Sequence, residues 1–195
     1  SQSRGLGDVY KRQLIHKLKN FENINSNFII ITLMLFGSIL LAISAKVQVP
    51  FWPVPMTMQT FVIFLIGMTY SVRLSFATVA FYLFQGAIGL PVFAAGGGVA
   101  YLVGPTAGYL YGMLFASIVI SYLANLGFSK TYFKATVSLL IGSAIIFSFG
   151  IIYLGYIIGF EKAVAAGLLP FIPSELFKIA LAVALIPTLH KIITK

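Results

Sequence analysis

The chain has 195 residues, 59% of them hydrophobic and only 9% charged, with a mean hydropathy of +1.00. A soluble domain carries about 25% charged residues, so this composition excludes one and points to a single integral membrane domain. The net charge of +9 sits in ones and twos between apolar runs, not on one polar face as nucleic-acid binding requires, and the absence of Cys excludes disulfides and thiolate metal sites.

Asp8-Val9-Tyr10-Lys11-Arg12-Gln13 reads as a translated sequencing adaptor, so residues 1–13 are taken as a non-native or disordered tail, with a native polar tail as the alternative. Residues 14–27 form a cytoplasmic N-terminal segment, and residues 28–195 the membrane domain. Six apolar segments follow: Phe28–Ala45, Thr57–Tyr70, Leu74–Ile88, Pro105–Leu126, Ala135–Phe160 and Ser174–Leu189. The second and third are short for perpendicular spans, which implies thinner local geometry or burial among neighbours. Lys17, Lys19, Arg73, Lys130, Lys134, Lys191 and Lys195 then fall on one side and Lys46, Lys162 and Lys178 on the other. Seven cations against three predict both termini in the cytoplasm of a multi-pass protein.

The three outward loops, Lys46–Met56, Gly89–Gly104 and Glu161–Pro173, hold most of the prolines and the triplet Gly96-Gly97-Gly98. Gly89–Gly104 carries no charge and is apolar enough to sit at membrane depth, where irregular backbone must be buried in protein or line a cavity. The expected fold is therefore all-α and membrane-embedded: a six-transmembrane-helix bundle with a re-entrant outer loop between helices 3 and 4. An interfacial loop is the plainer alternative.

Within the first loop, Val49–Thr60 carries three prolines that make it stiff and extended. Thr57, Gln59 and Thr60 follow as uncharged hydrogen-bonders at a helix start, while Phe51 and Trp52 offer either flat cover for a ligand or an interfacial anchor. Tyr82, Gln85, Tyr101, Thr106 and Tyr109 add polar tips near the same side. Gly104, Gly108 and Gly112 recur every four residues, a spacing that suits a helix-packing seam. Pro105 is expected at the first helical position of the fourth span, with its free N–H groups facing the outer pocket. Ser174 reads as the N-cap of the sixth span, and Glu175 and Lys178 share a face there. Lys178 opposes the helix dipole, which either a ligand carboxylate or a snorkelling pair with Glu175 would explain. No phosphate-binding loop, carboxylate pair or nucleophile–base set is evident, so neither ATP hydrolysis nor catalysis by this chain is expected. No cofactor is expected either.

Val49-Pro50, Pro53-Val54-Pro55-Met56-Thr57-Met58-Gln59-Thr60, Gly86-Ala87-Ile88-Gly89-Leu90-Pro91-Val92-Phe93-Ala94 and Gly104-Pro105-Thr106-Ala107-Gly108-Tyr109 resemble the BioY biotin transporters, the substrate-binding S components of energy-coupling factor (ECF) transporters. The resemblance covers about Phe36 to Leu185. It implies six helices, biotin capture from outside, and energising by a transmembrane coupling subunit plus two ATPase subunits. It also implies that Lys178 holds the biotin carboxylate, beside a Glu175 that replaces the family's usual Asp. Tyr101 falls in the loop that supplies ring contacts, with the ureido bonds left to Thr57, Gln59 or backbone groups. Phe93, Gly97, Thr106 and Tyr109 complete the implied ligand set, and Ser38 with Ala42 is the nearest fit to the partner-docking motif of the first helix. The rivals are an S component for another vitamin or small organic acid, a small membrane-embedded enzyme, and a structural bundle.

Overall fold

The computed structural model describes the backbone of residues 26–193 and the side chains of residues 27–186. The expectations for residues 1–13 and 14–25, and those resting on Lys17, Lys19, Lys191 and Lys195, lie outside the described residues. Contacts divide the chain after Leu33, and the packing described below belongs to the unit from Met34 onward.

Helices stand at each of the six expected positions: α1 Ser26–Lys46, α2 Gln59–Thr69, α3 Val72–Ala87, α4 Ala107–Asn125, α5 Tyr132–Ile158 and α7 Ile172–Ile193. A short helix, α6 Phe160–Gly167, lies in the connection between α5 and α7. Among the described residues, four apolar helical stretches are long enough to cross a membrane: Asn27–Lys46, Ala107–Asn125, Tyr132–Ile158 and Phe160–Ile186. Helix α2 is apolar but has only 11 residues, and so spans about 16 Å at 1.5 Å per residue. Its residues are buried on most of its circumference, from Gln59 and Thr60 to Gly67 and Met68, so protein rather than lipid covers it. Helix α3 buries a single stripe, Ser75, Thr78, Val79, Tyr82 and Gly86, at the spacing of one helix face.

Helices α4 and α5 come together through glycine. A Cβ on Gly108 would lie 2.5 Å from the Phe149 carbonyl oxygen, and one on Gly112 would lie 2.8 Å from the Ile146 Cα. With no hydrophobic drive between helices in lipid, such close approach supplies the attraction. The predicted seam thus exists at Gly108 and Gly112. Gly104 is not part of it, because it ends the 3₁₀ segment Val99–Val103, outside the helix.

Three other expectations change. Helix α4 begins at Ala107 with Thr106 as its N-cap, so Pro105 precedes the helix instead of opening it. Helix α7 begins at Ile172, directly after the 3₁₀ turn Leu169–Phe171, so Ser174 is inside the helix and not its cap. Pro173 is accepted there because the first turn has no partner for its missing N–H. Most of the stretch expected to be extended is a hairpin, in which β1 Gln48–Val49 pairs antiparallel with β2 Met56–Thr57, while Gln59 and Thr60 already belong to α2. Trp52 stands at its tip, 81% exposed.

Candidate functional site

A cavity lies between the helix starts and the loops that join α1 to α2 and α3 to α4. Its floor is a buried polar cluster. Glu175 and Lys178, one helical turn apart on α7, are each only 4% exposed. The Lys178 Nζ donates to Glu175 Oε2 at 3.1 Å and to Thr60 Oγ1 at 3.0 Å. Thr60 Oγ1 donates to Glu175 Oε2 at 2.9 Å, and Ser143 Oγ on α5 donates to Oε1 at 3.3 Å. Two buried charges are thus paired and hydrogen-bonded from three helices, as burial demands. One of the three donors of Lys178 and part of the acceptor capacity of Glu175 remain for a ligand.

The walls are mostly apolar: Val54, Leu110, Met113, Ile146, Phe147 and Phe171. Tyr109 stacks on Phe171 at 6.5 Å between ring centroids and meets Phe147 edge-on at 6.1 Å. Its hydroxyl donates to the Gly167 carbonyl at 2.8 Å, so Tyr109 ties the end of α6 to α4.

The opposite wall rests on loop 88–106. Phe93 is fully buried, stacked on Tyr101 at 4.9 Å and edge-on to Tyr82 at 5.4 Å. Gly86 is required beneath it, since a Cβ there would lie 1.9 Å from the Phe93 ring. The Tyr82 hydroxyl accepts from Gln59 Nε2 at 2.7 Å and donates to the Val92 carbonyl at 3.0 Å. Lys46 Nζ donates to the Phe93 carbonyl at 2.6 Å, and Gln48 Nε2 to the Ala94 carbonyl at 3.2 Å. The end of α1 and the hairpin therefore clamp the loop that carries Ala94 and Tyr101 into the cavity.

Of the residues expected at the site, Lys178, Glu175, Thr57, Gln59, Tyr101, Thr106 and Tyr109 all line this cavity. Phe93 supports the wall from behind. Gly97 instead lines a neighbouring surface depression. Ser38 is fully buried and donates to Gln85 Oε1, so its side chain is committed within the fold, while Ala42 stays partly exposed beside Ile39 and Ile43. Thr60 stood in the sequence as an uncharged hydrogen-bonder at a helix start, with no partner assigned to it. Ser143 carried no signal, being one of several serines in an apolar helix. Phe147 looks in the sequence like any lipid-facing aromatic, and Phe171 like any apolar residue of a loop. Among the described residues, no group of three His, Cys, Asp or Glu side chains lies together as a metal site would need.

Comparison with known proteins bears on this geometry. Residues 17–195 match the BioY family profile. The probable biotin transporter BioY of Rickettsia prowazekii is 33% identical over 175 residues, 89% of this chain and 90% of that protein. The biotin transporter BioY of Thermotoga maritima is 36% identical over 155 residues, 78% of this chain and 90% of that protein. Among solved structures, the S component for biotin from an ECF-type ABC transporter is similar, with a TM-score of 0.76 and 26% identity over 87% of this chain and 94% of that one.

Proposed function

Since the chain belongs to the BioY family, we propose that it captures biotin in the cavity between α2, α4, α5 and α7 and serves as the S component of an ECF transporter. A transmembrane coupling subunit and two ATPase subunits supply the energy. The chain is a multi-pass protein of the bacterial cytoplasmic membrane with six spans and both termini inside. The uncharged loop 88–106 is re-entrant, and the cavity loads from outside. The seven-to-three division of cations and the burial of Phe93 and Ala94 within that loop support this arrangement.

The observation that carries the reading is the buried Glu175–Lys178–Thr60 cluster at the floor of a mostly apolar cavity. It also favours a pose other than the one the resemblance implies. Lys178 is already neutralised by Glu175, so a ligand carboxylate there would add an unpaired negative charge to a dry site. A cyclic urea suits the pair better: its N–H groups donate to Glu175, and its carbonyl accepts the remaining Lys178 donor. We therefore read the biotin ring as lying inward and the carboxylate tail as lying toward the loops, beside Tyr101 and Thr106.

Titration calorimetry of the purified chain tests this with biotin and its uncharged primary amide. The inward-ring pose expects the amide to bind, and Lys178→Ala to weaken both ligands alike. A primary amide that binds poorly to the unaltered chain, and whose affinity Lys178→Ala leaves unchanged, would return the carboxylate to Lys178. Absence of biotin binding to the unaltered chain would remove the function itself.

A further inference from the structure

Beside the cavity, on its loop side, a second depression is walled by Pro53, Ala95, Gly97 and Ala100. Pro55, Tyr101 and Thr106 line both spaces, so the two are continuous across a shared rim. Ala95, Gly97 and Ala100 are exposed, so the depression opens at the surface. Gly97 is held there by close packing, since a Cβ on it would lie 2.1 Å from the Leu90 carbonyl oxygen. Among the described residues, no charged side chain lines it.

At the rim, the Thr106 hydroxyl does not cap α4, and among the described residues neither it nor the Tyr101 hydroxyl has a hydrogen-bond partner. These two groups can receive the polar end of a ligand tail whether it is a carboxylate or an amide. A site rejects a missing group strongly only when a buried partner is left unpaired by its loss. No cation at this rim would be left so.

We infer that the depression is a second subsite, which takes what lies beyond the tail carboxyl and admits neutral amide extensions of it. The ligand class is biotin joined through its carboxyl to an amine, as in its amide with the side chain of free lysine. The inference rests on the inward-ring reading above. The free acid ends at the shared rim, whereas the extended ligand continues over Ala95 and Ala100.

The test is competition binding on the purified full chain with biotin and with the lysine amide of biotin. The amide should bind within about tenfold of biotin. Ala100→Trp, which fills the depression, should weaken the amide by about tenfold or more and change biotin by less than about threefold. Ala95→Trp is the second variant, with thermal unfolding in detergent as the check on folding. An amide more than about a hundredfold weaker than biotin overturns the subsite, as does equal loss of both ligands in both folded variants. Biotin that fails to bind the unaltered chain would count against the biotin reading and not against the subsite alone.

Discussion

Glu175 and Lys178 illustrate how much of a single pair can be read in the sequence and how much depends on what packs around it. Their spacing of three puts them on one face of any helix, and a cation near a helix start already asks for an explanation. Their burial comes from elsewhere, since Thr60 and Ser143 reach them from α2 and α5. Removing one partner strands a buried charge. Glu175→Ala is therefore expected to cost about 3 kcal/mol of stability, seen as a lower unfolding temperature in detergent. The double variant Glu175→Leu/Lys178→Met should recover most of that stability while remaining unable to bind biotin. Recovery of binding in the double variant would take the pair out of the site. Lys178→Ala alone should weaken biotin by about 2 kcal/mol or more, roughly thirtyfold, in titration calorimetry. Tyr109→Phe leaves the Gly167 carbonyl without its donor and should cost about 1 kcal/mol of stability, with the ring contacts to Phe147 and Phe171 retained.

At the scale of elements, the glycine repeat of the fourth span was visible as a spacing but not as a boundary. Gly108 and Gly112 face the α5 backbone, whereas Gly104 closes a 3₁₀ segment where an added Cβ meets nothing nearer than 3.4 Å. Gly108→Ala is expected to lose about 1–3 kcal/mol through overpacking against Phe149, and Gly104→Ala less than about 0.5 kcal/mol. Unfolding temperatures in one detergent compare them directly, and equal losses would mean that the seam extends beyond the helix. The positions of the long apolar helices were legible from hydropathy because a run of such residues has few alternatives to a helix in lipid. Their ends were less legible. Helix α4 starts two residues later than Pro105 suggested, and α7 two residues before Ser174, because proline fits both just outside a helix and within its first turn. The hairpin at Gln48–Thr57 was concealed by the same residue type, since proline-rich stretches read as extended chain whether or not their ends pair.

At the scale of the whole molecule, the proposed topology sets the cavity loops outside and the connections bearing Arg73, Lys130 and Lys134 inside. The chain contains no Cys, so single cysteines report cleanly on accessibility. Trp52→Cys, at the exposed tip of the hairpin, should react with a membrane-impermeant maleimide on intact cells. Lys130→Cys, in the exposed connection before α5, should react only after the membrane is opened. The reverse pattern would invert the proposed topology. By itself the sequence determined that the chain lives in a bilayer, where its apolar runs lie, and which loops hold the unusual residues, because composition and periodicity depend only on solvent and local geometry. Family motifs added the ligand class. Only the tertiary structure decided that Thr60 and Ser143 meet Glu175, that Phe93 props Tyr101 from behind, and that Lys178 arrives at the cavity already neutralised. Those facts depend on residues far apart in the chain being buried together, and electrostatic partnership in a dry interior leaves no mark on local pattern.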